Sequence, residues 1–202
     1  MKRLALAVAL LATAAAARKP RAASGPSLPA SRFFASRPGL VRVYEGRVAH
    51  RREDDAPAAG ASCEVLESRK ALLRESCTMI VGRKARPATE ITYELRESGI
   101  YSVQAKTEGS DQPLSMERLV LPNPLRVGTS WKEARGDAQL VRTVTSAGRP
   151  CKAAGRSFAD CLVLAVTQSN RKRLTRRYTE TWAAGVGLVE DAQWELIDVK
   201  GL

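Results

Sequence analysis

The sequence predicts a mainly β fold built from antiparallel strands. Short runs of branched and aromatic residues alternate with turn residues at intervals of about a dozen positions, a spacing typical of antiparallel β structure. No convincing apolar stripe of three helical turns follows the N-terminal segment. The length of 202 residues predicts one domain or at most two small ones. A composition of 44% hydrophobic and 27% charged residues is globular and argues against a coiled coil or a largely disordered chain.

The N-terminal segment has the pattern of a secretory signal peptide. Lys2 and Arg3 precede an apolar run, residues 4–17, that is interrupted only by Thr13 and ends in small residues. This run is shorter than the roughly 20 apolar residues of a membrane-spanning helix. We expect residues 1–17 to be removed by cleavage near Ala16 or Ala17, and no cysteine near this junction could accept a lipid.

Residues 18–32 are basic and rich in Pro, Ser and Ala, without a hydrophobic period. Such a composition is typical of a disordered segment. We therefore expect a disordered leader over residues 18–32 and a single antiparallel β domain over residues 33–202.

Within this domain the apolar runs and turn residues define the individual strands. Strands are predicted at residues 41–48, 63–67, 72–81, 89–95, 100–106, 114–121, 130–134, 139–145, 162–167, 174–182, 187–190 and 193–199. In the fourth, Ile91, Tyr93 and Leu95 share one face, as a half-buried strand requires. Residues 162–166 form a continuous apolar run, which predicts a central strand covered on both sides.

Four cysteines predict two disulfides in an exported chain. Four cysteines allow three pairings, and the spacing favours the two local ones. Cys63 and Cys77 flank two runs around a polar centre that reads as a hairpin, and Cys151 and Cys161 flank a tight turn. On the entropic account, each disulfide stabilises the fold by roughly 3 kcal/mol, because it restricts the unfolded chain. A redox-active or metal-binding role would need closer spacing or neighbours that stabilise a thiolate.

Three segments carry a family resemblance: residues 124–131 (PLRVGTSW), 154–163 (AGRSFADCLV) and 181–190 (TWAAGVGLVE). In this order they resemble exported bacterial envelope domains of unknown function. Such domains are similar to the curved antiparallel sheets of periplasmic lipoprotein carriers and related lipoprotein-like half-barrels. The resemblance implies a single curved sheet or half-barrel, with little helix beyond the signal peptide. It also implies that the concave side of the sheet offers an apolar surface to a lipid, an acyl chain or a partner protein. The chain departs from many of these domains in lacking the lipid-acceptor cysteine.

Residues suited to catalysis are scarce. The only histidine, His50, lies in a charged loop, and no nucleophile motif accompanies it. Glu53, Asp54 and Asp55 are consecutive, so they do not converge as an acid/base pair, and the spacing of a calcium loop is missing. We expect a non-enzymatic protein without a metal or cofactor.

The remaining feature is positive charge. The chain carries a net charge of +12, and loss of Lys2 and Arg3 with the signal peptide leaves +10. The densest cluster, at a predicted hairpin tip, comprises Arg171, Lys172, Arg173, Arg176 and Arg177. Export favours anionic lipid, lipopolysaccharide or acidic polysaccharide over nucleic acid as its partner. The alternative is a solvated charge run that protects a strand edge from pairing.

These observations predict an exported protein, periplasmic or extracellular, of a Gram-negative type envelope. We expect it to bind a lipid or other amphiphilic anionic ligand on a curved sheet, with basic loops at the anionic end. The alternative is a structural or protein-interaction module that assembles with another envelope protein through a sheet edge and binds no small molecule.

Overall fold

A computed structural model describes residues 24–46, 59–82, 84–170 and 175–202. About three quarters of them lie in strands, and one short 3-10 turn covers Ala30–Phe33. The strands are β1 (Ser24–Leu28), β2 (Val41–Gly46), β3 (Ala59–Arg69), β4 (Leu72–Val81), β5 (Lys84–Ala85), β6 (Thr89–Arg96), β7 (Gly99–Thr107), β8 (Leu114–Pro122), β9 (Leu125–Val127), β10 (Ser130–Arg135), β11 (Ala138–Ala153), β12 (Arg156–Asn170), β13 (Thr175–Ala183), β14 (Gly187–Glu190) and β15 (Trp194–Lys200).

One large antiparallel sheet contains all of these strands except β1 and β9. Its order is β10-β11-β12-β13-β14-β15-β2-β3-β4-β6-β7-β8, with β5 added beside β4. The edge strands β8 and β10 contact each other, so the sheet curves until it is nearly closed. Strands β1 and β9 form a separate two-stranded ladder. The predicted fold class, a single curved antiparallel sheet or half-barrel, is confirmed.

Each predicted strand coincides at least in part with an observed strand, with some changes of length. Residues 47, 48 and 174 of the predicted strands lie outside the described residues. Strands β11 and β12 are much longer than predicted and form one hairpin that turns at Ala154 and Gly155, both with positive φ. Strands β1, β5 and β9 were not predicted, because runs of two to five residues carry too little periodicity to be recognised.

The expected disordered leader is wrong for residues 24–32. Residues of β1 pair with β9, and Ala30 and Phe33 of the 3-10 turn are buried in the core. Local composition could not predict strand β1, because its partner strand lies about a hundred positions away along the chain. Residues 18–23 and the predicted signal peptide lie outside the described residues.

The strands alternate between an interior and an outer face. Tyr93 of β6 packs against the core, whereas Glu90 and Glu94 pair with arginines on the exposed face. In β12, Leu164 and Val166 are buried but Ala165 is exposed. The expectation that this strand is covered on both sides is therefore wrong, since the large sheet is a single layer with solvent on its outer face.

An apolar core fills one end of the curved sheet. Its largest fully buried side chains include Phe33, Leu40, Val65, Leu73, Ile100, Leu121, Leu125, Val144, Leu162 and Leu164. At Gly99, where φ is +145°, an added Cβ would lie 2.3 Å from the carbonyl oxygen of Leu121. Only glycine lets β7 approach the end of β8 this closely.

Both predicted disulfides are confirmed. Cys63 and Cys77 are direct partners in the β3–β4 register, with their Cα atoms 4.1 Å apart. Cys151 and Cys161 join β11 to β12 near the turn of the long hairpin, with a Cα separation of 6.0 Å. No cysteine is free. Within the described ranges no helix has the length and apolarity to cross a membrane.

Candidate functional site

A layer of buried charged residues lies on the apolar core, inside the sheet. Its members are Arg42, Glu75, Glu133, Arg142 and Glu180, each less than 10% exposed. Each lies two positions from a core residue, as Glu75 does from Leu73 and Glu180 from Trp182. We call this layer the charged floor, because the interior above it is open.

Arg142 organises one half of the charged floor. Its Nε and Nη2 donate to the two carboxylate oxygens of Glu180 at 2.9 and 3.0 Å, and its Nη1 donates to Glu133. Burial lowers the pKa of Arg142, but the hydrogen bonds and charges of Glu180 and Glu133 outweigh this and raise the pKa above its usual value. Arg135 also donates to Glu133, from Nε at 2.5 Å.

Arg42 and Glu75 form the other half of the charged floor as a buried ion pair between β2 and β4. The hydroxyl of Tyr93 donates to Glu75 at 3.3 Å. Arg42 packs on the backbone of Gly187, where φ is +96° and an added Cβ would lie 2.7 Å from Nη1. Glycine at position 187 thus leaves the space that the guanidinium occupies, a role the sequence pattern alone did not reveal.

Three tyrosines border the space above the charged floor. Burial raises the pKa of Tyr93 to about 12, although the charges of Arg42 and Arg135 act against this rise. Burial also raises the pKa of Tyr44 and of Tyr178. All three phenols are therefore neutral near pH 7, and Tyr44 uses its hydroxyl to donate to the carbonyl of Leu188 at 2.8 Å.

The open interior is a cavity of about 640 Å³, within the size range of small-molecule sites in proteins. Two of its sides differ in chemistry. Strands β3, β4, β6 and β8 contribute Ala61, Met79, Ile91, Met116 and Val120, which we call the apolar wall; one charged residue, Arg118 of β8, lines the cavity among them. Strands β10, β12 and β13 contribute Arg135, Gln168, Arg176 and Tyr178, which we call the arginine wall.

The structure separates the predicted basic cluster between two faces. Arg176 lines the cavity. Arg177, the next residue of the same strand, is exposed and is not among the cavity-lining residues. Arg171, Lys172 and Arg173 lie outside the described residues.

The two predicted disulfides lie at different places relative to the cavity. Cys63 and Cys77 line the cavity, and among the described residues they form, with Glu75, a group whose potential metal ligands lie within 4.8 Å of one another. Both sulfurs are already joined in the disulfide. Cys151 and Cys161 are not among the cavity-lining residues. The residues considered for catalysis or calcium binding, His50 and residues 53–55, lie outside the described ranges.

The sequence analysis missed the charged floor. The available signal was a charged residue at an inward position of an alternating strand, as in residues 140–144 (LVRTV), where Arg142 stands between Leu140 and Val144. Its carboxylate partners come from β10 and β13, and no local pattern connects them.

No protein-family model matches the chain, and no curated protein and no solved structure matches it.

Proposed function

We propose that this chain is a non-enzymatic, exported protein of the cell envelope that binds an amphiphilic anionic ligand, such as a lipid, in the cavity of its curved sheet. The observation that carries the proposal is the division of one cavity into an apolar wall and an arginine wall. An amphiphile has the same division, so one molecule can satisfy both sides.

The apolar wall supports the acyl-chain part of the proposal. Met79 is 45% exposed although it faces the interior, so its side chain has apolar surface left to bury. Transfer of apolar surface out of water contributes about 25 cal/mol per Å². The unbranched thioether side chains of Met79 and Met116 adapt to chains of different shape.

The arginine wall supports the anionic part. Arg176 is exposed, and no carboxylate in the described part of the chain pairs with it. Arg135 is 52% exposed and bonded to Glu133 through Nε, which leaves its Nη groups for other acceptors. Guanidinium groups bind carboxylate and phosphate oxygens in paired, directional hydrogen bonds.

The two disulfides support export. Disulfides persist in oxidising compartments such as the periplasm and the extracellular space, and are rare in the cytosol. Together with the predicted signal peptide, they favour a periplasmic or extracellular location.

A second candidate function is assembly with another envelope protein. Strand β8 is an edge of the large sheet, and Leu114 at its start is 66% exposed. An edge with an exposed apolar side chain can pair with a strand of a partner. This module would leave the cavity without a ligand.

Native mass spectrometry of the non-reduced protein, purified from the periplasm of an expressing cell, tests the proposal. We expect a mass lower by about four hydrogens for two disulfides, together with an adduct of lipid size. The disulfide-bonded mass without any adduct would favour the interaction module. Four free thiols would contradict the argument for export.

A further inference from the structure

We propose that the cavity selects amphiphiles whose head group carries a single negative charge, and that Arg135 and Arg176 bind this group. The inference rests on the proposed function and names the ligand class and the residues that recognise it. It also moves the anion site from the hairpin tip of the basic cluster to the inside of the sheet.

The charge balance of the cavity lining is the first argument. Among the described residues, five arginines (Arg42, Arg118, Arg135, Arg142 and Arg176) and four carboxylates (Glu75, Glu133, Glu180 and Asp191) line the cavity, which gives these residues a net charge of +1. A head group with one negative charge neutralises this lining, whereas a second charge would have to be desolvated without a compensating partner.

The existing ion pairs identify which arginines are available. Arg42 is paired with Glu75, and Arg142 is bonded to both Glu133 and Glu180. Asp191 accepts backbone N–H groups of Gln193 and Trp194 at 2.7 Å. These groups already have partners, so the positive charge that remains belongs to Arg118, Arg135 and Arg176. Arg118 is only partly exposed and lies on β8 of the apolar wall, whereas Arg135 and Arg176 are exposed and lie in the arginine wall.

Arg135 lies where the two walls meet, because it lines the cavity from the edge strand β10, which contacts β8 of the apolar wall. Burial raises the pKa of Tyr93 on β6 and of Tyr178 on β13, and the charge of Arg135 opposes the rise at both hydroxyls. The same charge therefore acts on side chains of both β6 and β13. An anion bound there remains next to the apolar wall, as the junction of head and tail in an amphiphile requires.

Arg176 also lies in the arginine wall, and its neighbour Arg177 provides a matched control. It lies on β13 two residues before Tyr178, so both side chains point to the interior face. Arg177 has the same side chain and the same net effect on protein charge, but it is exposed and does not line the cavity. Comparison of the two separates contact with a ligand from long-range attraction.

The test measures affinities of the full-length, disulfide-bonded protein by isothermal titration calorimetry below the critical micelle concentrations. The probes are three amphiphiles with the same lauroyl chain: lauroyl-lysophosphatidylglycerol with one negative charge, monolaurin with none, and lauroyl-lysophosphatidic acid with a charge nearer −2. We expect the singly charged probe to bind at least tenfold more tightly than monolaurin, and more tightly than the lysophosphatidic acid.

The variants Arg135→Gln and Arg176→Gln should each weaken binding of the singly charged probe by about tenfold, the size of a hydrogen bond to a charged group. Binding of monolaurin should not change, and Arg177→Gln should leave all three affinities within about twofold. Because Arg135 and Arg176 are both exposed to solvent, neither substitution leaves a buried cavity, and unchanged binding of monolaurin verifies the fold.

Two results would overturn the inference without affecting the proposed function. One is equal binding of charged and uncharged probes by every variant. The other is tightest binding of the lysophosphatidic acid. Absence of binding by all three probes would instead contradict the proposed function itself.

Discussion

The two ends of the space inside the curved sheet are lined by the same strands but have opposite chemistry. At one end, Leu73 and Leu164 belong to a fully buried apolar core. At the other end, Glu75 and Cys77 border an open cavity. They follow Leu73 on β4 by two and four residues. The comparison shows that the alternation of a strand determines which residues face inward, whereas residue type determines whether that interior packs or stays open.

The charged floor separates the two ends. Buried ion pairs stabilise a fold less than apolar residues of similar volume would, because each charge is removed from water. In this protein the ion pairs lie where the apolar core meets the open cavity. The predictions below test this division, from the largest expected effect to the smallest.

The largest effect is expected for Arg142→Met. The substitution leaves the buried carboxylates of Glu133 and Glu180 without the cation that bridges them. The free energy of unfolding should fall by about 3–5 kcal/mol. Urea denaturation of the non-reduced protein measures it.

A control variant tests the charge argument for Arg142. Adding Glu133→Gln and Glu180→Gln to Arg142→Met removes both unpaired charges and should restore a large part of the lost stability. A triple variant no more stable than the single one would show that the loss comes from packing instead.

Truncation of an apolar side chain should depend on which end it occupies. Leu162→Ala in the core removes a fully buried side chain and should lower the free energy of unfolding by about 2–5 kcal/mol. Met79→Ala in the cavity removes a side chain that is 45% exposed and should cost less than about 1 kcal/mol. Equal losses, measured by urea denaturation, would contradict the distinction between core and cavity.

Alkaline pH should destabilise the protein through Tyr93. Below pH 10 its phenol is neutral in both states. Between pH 10 and about 12 the unfolded chain releases this proton while the folded protein keeps it, since burial raises the pKa of Tyr93 to about 12. Stability should therefore fall with rising pH, by about 1.4 kcal/mol per unit at most for this group.

Tyr93→Phe isolates this contribution. The variant loses the hydrogen bond to Glu75 at neutral pH but should show a shallower decline of stability above pH 10, because the buried phenol is gone. Urea denaturation at intervals from pH 8 to 11 compares the two proteins. The same decline in both would show that other groups cause it.

The smallest effect is expected on the outer face. Arg96 pairs with Glu94 at 2.7 Å and with Glu117 at 2.6 Å, and all three side chains are at least 36% exposed. Arg96→Gln should lower the urea midpoint only slightly, and salt should reduce the difference. A loss as large as that of Arg142→Met would contradict the separation of inner and outer faces.

Most of the sheet could be predicted from the sequence, because alternation and turn residues are local properties. The disulfide of Cys63 and Cys77 followed from the same reasoning, since a hairpin places its arms in register. Strand β1 could not be found in this way, because its pairing with β9 depends on a distant segment.

The candidate site was predictable only in part. The basic cluster contained Arg176, but its density directed attention to the hairpin tip and not to the interior. Arg142 and Glu180 meet across an intervening strand, and their sequence separation of 38 gives no pattern that a local reading detects. Curvature of the sheet brings the two walls together, and this curvature has no local sequence signal.

The most direct test of the central claim is quenching of tryptophan fluorescence by 9,10-dibromostearate, whose bromine atoms quench at short range. Trp182 and Trp194 line the cavity, whereas Trp131, the remaining tryptophan, is not among the lining residues. An acyl chain inside the cavity should quench wild type and Trp131→Phe strongly, and the Trp182→Phe/Trp194→Phe double variant weakly. Equal fractional quenching in all three proteins, or none in any of them, would contradict the claim that the cavity binds an acyl chain.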